Sequence, residues 1–177
     1  MAKIDLELPE VYLQPGEVHL ARRAAILKTV LGSCVGVTFW NPRLHIGALC
    51  HGALPRCPAG MQAPAGYRYV DFAICDLARH LANLGIQRDE VQVKVFGGAD
   101  VLPVHAAALQ KTTVGYQNCR AALEALEREG LVVLASDLGG LSGRVIQFHT
   151  GTGQVLLRRL SQIGSEEDPK ALIPAEY

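Results

Sequence analysis

The chain has 177 residues, 49% of them hydrophobic, enough for a single domain with a sizeable core. Its 17 basic and 17 acidic side chains cancel, so the charge balance gives no reason to expect nucleic acid or an anionic membrane as a partner. Five cysteines (Cys34, Cys50, Cys57, Cys75 and Cys119) are odd in number and lack paired spacing, and Met1-Ala2-Lys3-Ile4-Asp5 has no basic region leading into an apolar one. A reducing compartment, the cytoplasm, is the expectation.

The first predicted elements are two apolar runs, 29–31 and 35–40, joined by Gly32-Ser33-Cys34. The uncharged span 29–42 contains Asn41-Pro42 and falls short of the ~20 apolar residues that a membrane helix needs, so no insertion is expected. A small-residue bend between such runs lifts a side chain out of a sheet and leaves backbone N–H groups free. A thiol nucleophile needs both: exposure, and donors for a developing oxyanion. A further apolar run, 44–50, leads into His51. Pairing that run antiparallel with 35–40 brings the imidazole back beside the thiol. Cys34 and His51 are therefore a candidate nucleophile and base, with Gly32 and Ser33 forming the turn around the oxyanion. Zinc is the rival chemistry for Cys34, Cys50, His51 and Cys57. No close Cys-x-x-Cys pair exists, however, and adjacent residues on a strand point to opposite faces. No metal is expected, and Cys50 is expected in the core.

Residues 57–66 follow, with two prolines, two glycines and no charge. They read as a surface loop, or as a flexible lip beside the site. Val70, Ile74, Leu77, Ala78, Leu81 and Leu84 make a helical stripe that Gly85 stops. Residues 91–96 alternate as a strand with one wet face, and Phe96-Gly97-Gly98-Ala99 reads as a tight turn or a close backbone approach. Asn118 is placed to cap a helix running through Glu129 and closed by Gly130, with Glu124 and Arg128 paired along it. Residues 131–135 read as a short buried strand. Segments 144–149 and 154–160 flank Thr150-Gly151-Thr152-Gly153 as a hairpin. His19, His45, His80, His105 and His149 read as surface or structural residues. The pattern is α+β with a mixed sheet, in one domain over residues 1–160, followed by a polar, loosely attached tail at 161–177.

The run Thr29-Val30-Leu31-Gly32-Ser33-Cys34-Val35-Gly36-Val37, followed by Gly47-Ala48-Leu49-Cys50-His51-Gly52-Ala53-Leu54-Pro55, resembles the signature of the CheD family of chemoreceptor glutamine deamidases. The likeness continues through Tyr69-Val70-Asp71, 94–99, Gly115 with Asn118, 137–140, Gly143-Arg144 and the hairpin, covering about residues 20–160. The resemblance implies two stacked mixed β-sheets flanked by helices, with Cys34 as nucleophile and His51 as its base. It also implies a thiol-amidase cycle that needs no metal or organic cofactor. The substrates it implies are glutamines on the cytoplasmic helices of methyl-accepting chemotaxis receptors, and the glutamates formed become methylation sites. The family's third site residue is a hydroxyl, typically Thr, six positions before the Cys. That position holds Lys28, with Thr29 beside it. On a regular strand the two face opposite sides, so either a bulge brings Thr29 to His51 or Lys28 takes the place; Thr29 is the expected third catalytic residue, since an ammonium cannot accept a hydrogen bond from imidazole. A lysine there would favour the alternative role that the resemblance allows, a mainly non-catalytic regulator that binds and stimulates the CheC phosphatase.

Overall fold

The computed structural model describes residues 7–100 and 113–160, and the backbone of 173–174. His105 and the rest of the 161–177 tail lie outside the described residues. Two five-stranded sheets are stacked, and two helices cover the outer face of one of them. The first sheet orders β1 (Glu10–Tyr12), β3 (Ile26–Leu31), β8 (Arg144–His149), β9 (Val155–Arg159) and β10 (Ile173–Pro174). The second orders β2 (Val18–Ala21), β5 (Ile46–Gly52), β4 (Val35–Asn41), β6 (Gln92–Gly97) and β7 (Val133–Leu138). Each contains one parallel pair, β1–β3 and β6–β7, among antiparallel ones, so both sheets are mixed.

Burial on both faces explains why β4 and β5 read as near-continuous apolar runs. Val35, Val37 and Phe39 alternate toward α1 (Val70–Asn83) and α2 (Val114–Arg128), joined there by Ala48 and Cys50 of β5. The opposite parity faces the first sheet, where Leu49 and Phe96 meet Leu27, Leu31, Ile146 and Phe148. Cys50 and His51 accordingly part company: the thiol enters the helix-side core and the imidazole turns toward the other sheet.

Several expectations shift. Helix α2 begins at Val114 rather than at Asn118, because the Thr113 side chain caps it by accepting from Tyr116 N–H. Asn118 is left one turn inside the helix and fully buried. Glu124 pairs with Arg120 and Arg56 instead of Arg128. The strand read at 131–135 is β7, an edge strand that exposes Leu134 and is preceded by exposed Val132. Ile173–Pro174 pairs with β9, so the segment beyond 160 is held to the sheet at that point.

Arg144 is the largest fully buried side chain. It donates to the carbonyls of Gly97 and Gly139 at 2.8 Å each and pairs with Asp137 at 2.7 Å. Removing a guanidinium so placed takes the side-chain donor from Gly139 O and leaves Asp137 with exposed Arg159 as its remaining ion-pair partner, while Gly97 O keeps Gly139 N–H. Arg144→Ala should therefore lose about 3–5 kcal/mol of stability, read by denaturant unfolding. A loss under about 1 kcal/mol would show that water replaces the guanidinium there.

Candidate active site

Strand β3 belongs to one sheet and β4 to the other, and only Gly32, Ser33 and Cys34 separate them. The chain crosses between sheets at this corner. Each carbonyl of the crossing is taken: Gly32 O by Ala99 N–H at 2.8 Å, Ser33 O by the Asn118 amide at 2.9 Å, and Cys34 O by Gly98 N–H at 2.8 Å. The backbone after β6 has to come very close to supply two of these donors. A Cβ on Gly97 would sit 2.1 Å from Cys34 O, and Gly97 and Gly98 both have positive φ, at 111° and 66°. The glycine pair read from the sequence as a close backbone approach is therefore required there.

His51 stands opposite Gly36 in the β4–β5 register. Cys34 precedes Gly36 by two residues, so it falls on the same face and one diagonal step away, ~7–8 Å between Cα atoms for such neighbours. The imidazole backbone is fixed from the other side, with His51 N–H donating to Glu17 O and His51 O accepting from Gly16 N–H.

Thr29 comes from the first sheet. Its side chain is fully buried, and its hydroxyl lies 2.7 Å from His51 Nδ1 and 2.8 Å from Leu13 O. A hydroxyl has one proton, and a carbonyl can only accept. With that proton given to Leu13 O, Thr29 accepts from Nδ1–H, which leaves the ring lone pair on Nε2. That nitrogen is buried and has no hydrogen-bond partner among the described residues. No bulge is involved: the β3–β8 register runs unbroken from Ile26 to Leu31. Lys28, on the outer face, pairs with Glu10 at 2.6 Å.

Burial sets the electrostatics. It pushes the Cys34 thiol above its ordinary range, against the weaker pull of its own backbone N–H. It pushes His51 below the usual imidazole range, against smaller contributions from the Leu13 carbonyl and Glu17. Both groups are thus neutral near pH 7: a thiol beside an unprotonated base. Cys50, fully buried, is pushed up to about 12, and all five cysteines are free thiols.

Loop 57–66 is tied at its base, since Ala53 and Leu54 N–H both donate to Arg68 O and Val70 N–H donates to Leu54 O. It thereby borders the segment that carries His51. A cavity of about 630 Å³, lined by Gln87, Val91, Val132 and Leu134 among others, lies at the opposite end of β6 from Gly97 and is separate from this corner. Among the described residues no helix is long and apolar enough to cross a membrane.

Residues 53–159 match the family model for CheD chemotactic sensory transduction. The chain belongs to the CheD family. It is 42% identical over 156 residues to the probable chemoreceptor glutamine deamidase CheD 2 of Geobacter sulfurreducens, covering 88% of this chain and 93% of that one. The probable CheD of Pseudomonas syringae pv. syringae is 39% identical over 161 residues, covering 91% and 90%. That of Rhodospirillum rubrum is 37% identical over 153 residues, covering 86% and 84%. The family model begins after Cys34 and His51, whereas alignments of these lengths necessarily run across both.

Sequence reasoning singled out Cys34, His51 and the turn, and preferred Thr29 to Lys28 as the third residue; the structure places the Thr29 hydroxyl on His51. It missed the Asn118 amide under the turn, for which the Gly115-to-Asn118 spacing was the available signal.

Two neutral partners make a prediction that needs no substrate. The iodoacetamide alkylation rate of Cys34, followed by peptide mapping, should keep rising beyond pH 9, because its thiolate forms above the ordinary thiol range. A plateau reached by pH 7 would mean a preformed thiolate–imidazolium pair instead.

Proposed function

We propose that the protein hydrolyses glutamine side-chain amides of methyl-accepting chemotaxis receptors, using Cys34 as nucleophile and His51 as general base. The observation that carries the reading is the Thr29–His51 hydrogen bond, which fixes the tautomer a base needs. The names of the relatives supply the substrate class. Cys34 Sγ attacks the carboxamide carbon while its proton passes to His51 Nε2. The oxyanion is met by backbone N–H groups of the Gly32-Ser33-Cys34 turn. The C–N bond breaks as His51 returns the proton to departing ammonia, leaving a γ-glutamyl thioester. Water, deprotonated by the same nitrogen, cleaves the C–S bond, releases glutamate and restores the thiol. No step needs a metal or an organic cofactor. A partly exposed nucleophile where the chain crosses between sheets suits a side chain presented on a receptor's cytoplasmic helix, and such a substrate supports a cytoplasmic location.

The argument for a mainly regulatory, CheC-binding role was Lys28 at the hydroxyl position. With Thr29 on His51 and Lys28 on Glu10, the catalytic role is better supported.

The test is mass spectrometry of a receptor cytoplasmic fragment after incubation, reading conversion of mapped glutamines to glutamates. Cys34→Ala and His51→Ala should each abolish conversion while folding normally. Thr29→Ala should slow it by roughly 10²-fold, the scale of a general base's contribution, and Lys28→Ala by less than about twofold. Near-normal conversion by any of the first three would remove that residue from the mechanism. No conversion by the wild-type chain would sink the deamidase reading.

The pH profile provides a second check. Because burial holds His51 below the usual imidazole range, kcat/KM should stay on its plateau as pH falls through about 6.5 and decline only at lower pH. An acid limb centred above 6.5 would contradict a buried neutral base.

A further inference from the structure

The Asn118 side chain is fully buried on α2, in the helix-side layer, although it acts on the corner where the two sheets meet. Its amide nitrogen donates twice, to Ser33 O at 2.9 Å and to Ala53 O at 3.1 Å. Those carbonyls belong to different segments. Ser33 immediately precedes the nucleophile, and Ala53 follows the base by two residues. One planar NH2 group therefore links the turn that carries Cys34 to the strand end that carries His51. The oxygen of the same amide is buried and has no hydrogen-bond partner among the described residues. Leaving a buried acceptor unmatched costs about 1–3 kcal/mol, so this group does not optimise stability alone. Swapping the amide's ends would turn its oxygen toward two carbonyls, so the donor assignment is fixed by the partners.

We propose that Asn118 is a positioning residue that sets the separation of Cys34 and His51. No hydrogen bond joins that pair directly among the described contacts, since His51 Nε2 is unpartnered. Their relative placement rests on the backbone register and on this double donor. With the amide removed, the turn is free to move away from the strand end, which separates thiol from base and admits water to the sulfur. Two consequences run in opposite directions. Catalysis falls, because a misplacement near 1 Å costs on the order of 10²-fold in rate. Reactivity toward a small electrophile rises, because hydration relieves the burial that holds the thiol protonated.

The inference rests on the Cys34–His51 reading above, and the experiment separates the two. Asn118→Ala and Asn118→Asp are compared with wild type for deamidation of a receptor fragment and, without substrate, for iodoacetamide labelling of each cysteine. Asparagine and aspartate have the same shape, so Asn118→Asp carries the test should the alanine variant leave too large a void. Asn41→Ala is the control: Asn41 is a second buried amide, bonded to Glu90 O and Leu44 N–H at the far end of β4. The expected result is kcat lowered by roughly 10²-fold with KM within about threefold. Cys34 should label severalfold faster while Cys50 stays protected, and Asn41→Ala should change neither readout. The proposal is overturned by a folded variant with both kcat and Cys34 labelling near wild type, or by a loss confined to KM. It is equally overturned if Cys50 opens together with Cys34, or if neither variant folds, since Asn118 would then serve stability alone. A wild-type chain that does not deamidate would refute the proposed function, and the labelling arm would still judge Asn118.

Discussion

Everything at the site follows from a chain that changes sheets in three residues. Leu31 ends a strand of one sheet and Val35 begins a strand of the other. The residues between belong to neither hydrogen-bond ladder. Their carbonyls still need donors, because buried backbone acceptors are seldom left unmatched. The donors come from two outside sources, the glycine-rich end of β6 and the Asn118 amide. With the carbonyls engaged by those donors, the proposed reaction uses the N–H groups of the turn for its oxyanion, and the Cys34 side chain is partly exposed. A longer loop would satisfy its carbonyls with water and fix nothing.

The same corner explains the electrostatics. His51 faces the layer between the sheets, where burial disfavours the imidazolium, and Thr29 reaches it from across that layer. One sheet thus supplies the proposed base and the other supplies the group that sets its tautomer. In the proposed reaction a base held neutral accepts the thiol proton as charge develops on the substrate, which ties proton transfer to the attack itself. Leu13 adds a third point, since its carbonyl takes the Thr29 proton and so commits the hydroxyl to accepting.

Legibility in the sequence followed what each residue depends on. Cys34 and His51 were readable because a small-residue bend and two apolar runs of similar length are local patterns. The helix at Val70 was readable from its stripe and its terminal glycine. Thr29 was preferred to Lys28 on hydrogen-bonding chemistry but through a bulge that the strand does not need, because parity along one strand says nothing about which residue meets a side chain on a different sheet. Asn118 was misread because Asn is a good cap and Thr113 lay five residues upstream; capping preference cannot show that an amide is needed elsewhere. Strand β7 was read as buried from its apolar composition, yet it lies at an edge where only Ala135 is buried. Edge position is a property of topology, and composition does not carry it.

The site therefore has contributors from each layer: Asn118 from the helices, His51 from the inner sheet, Thr29 from the outer sheet, and Cys34 from the crossing between the sheets. Arg144 belongs to the same frame, since it holds Gly97 O while Gly98 N–H holds Cys34 O. Its role differs from that of Asn118 in kind. Arg144, on the first sheet, joins a buried ion pair to the ends of β6 and β7 in the second, and its charge is matched by Asp137. Asn118 is uncharged and half satisfied, so its placement makes sense only through the two carbonyls it joins. The first kind of contact holds the layers together; the second sets a distance inside them. The proposed reaction needs both, because a partly exposed thiol that meets a substrate from outside depends on the frame behind it for its geometry.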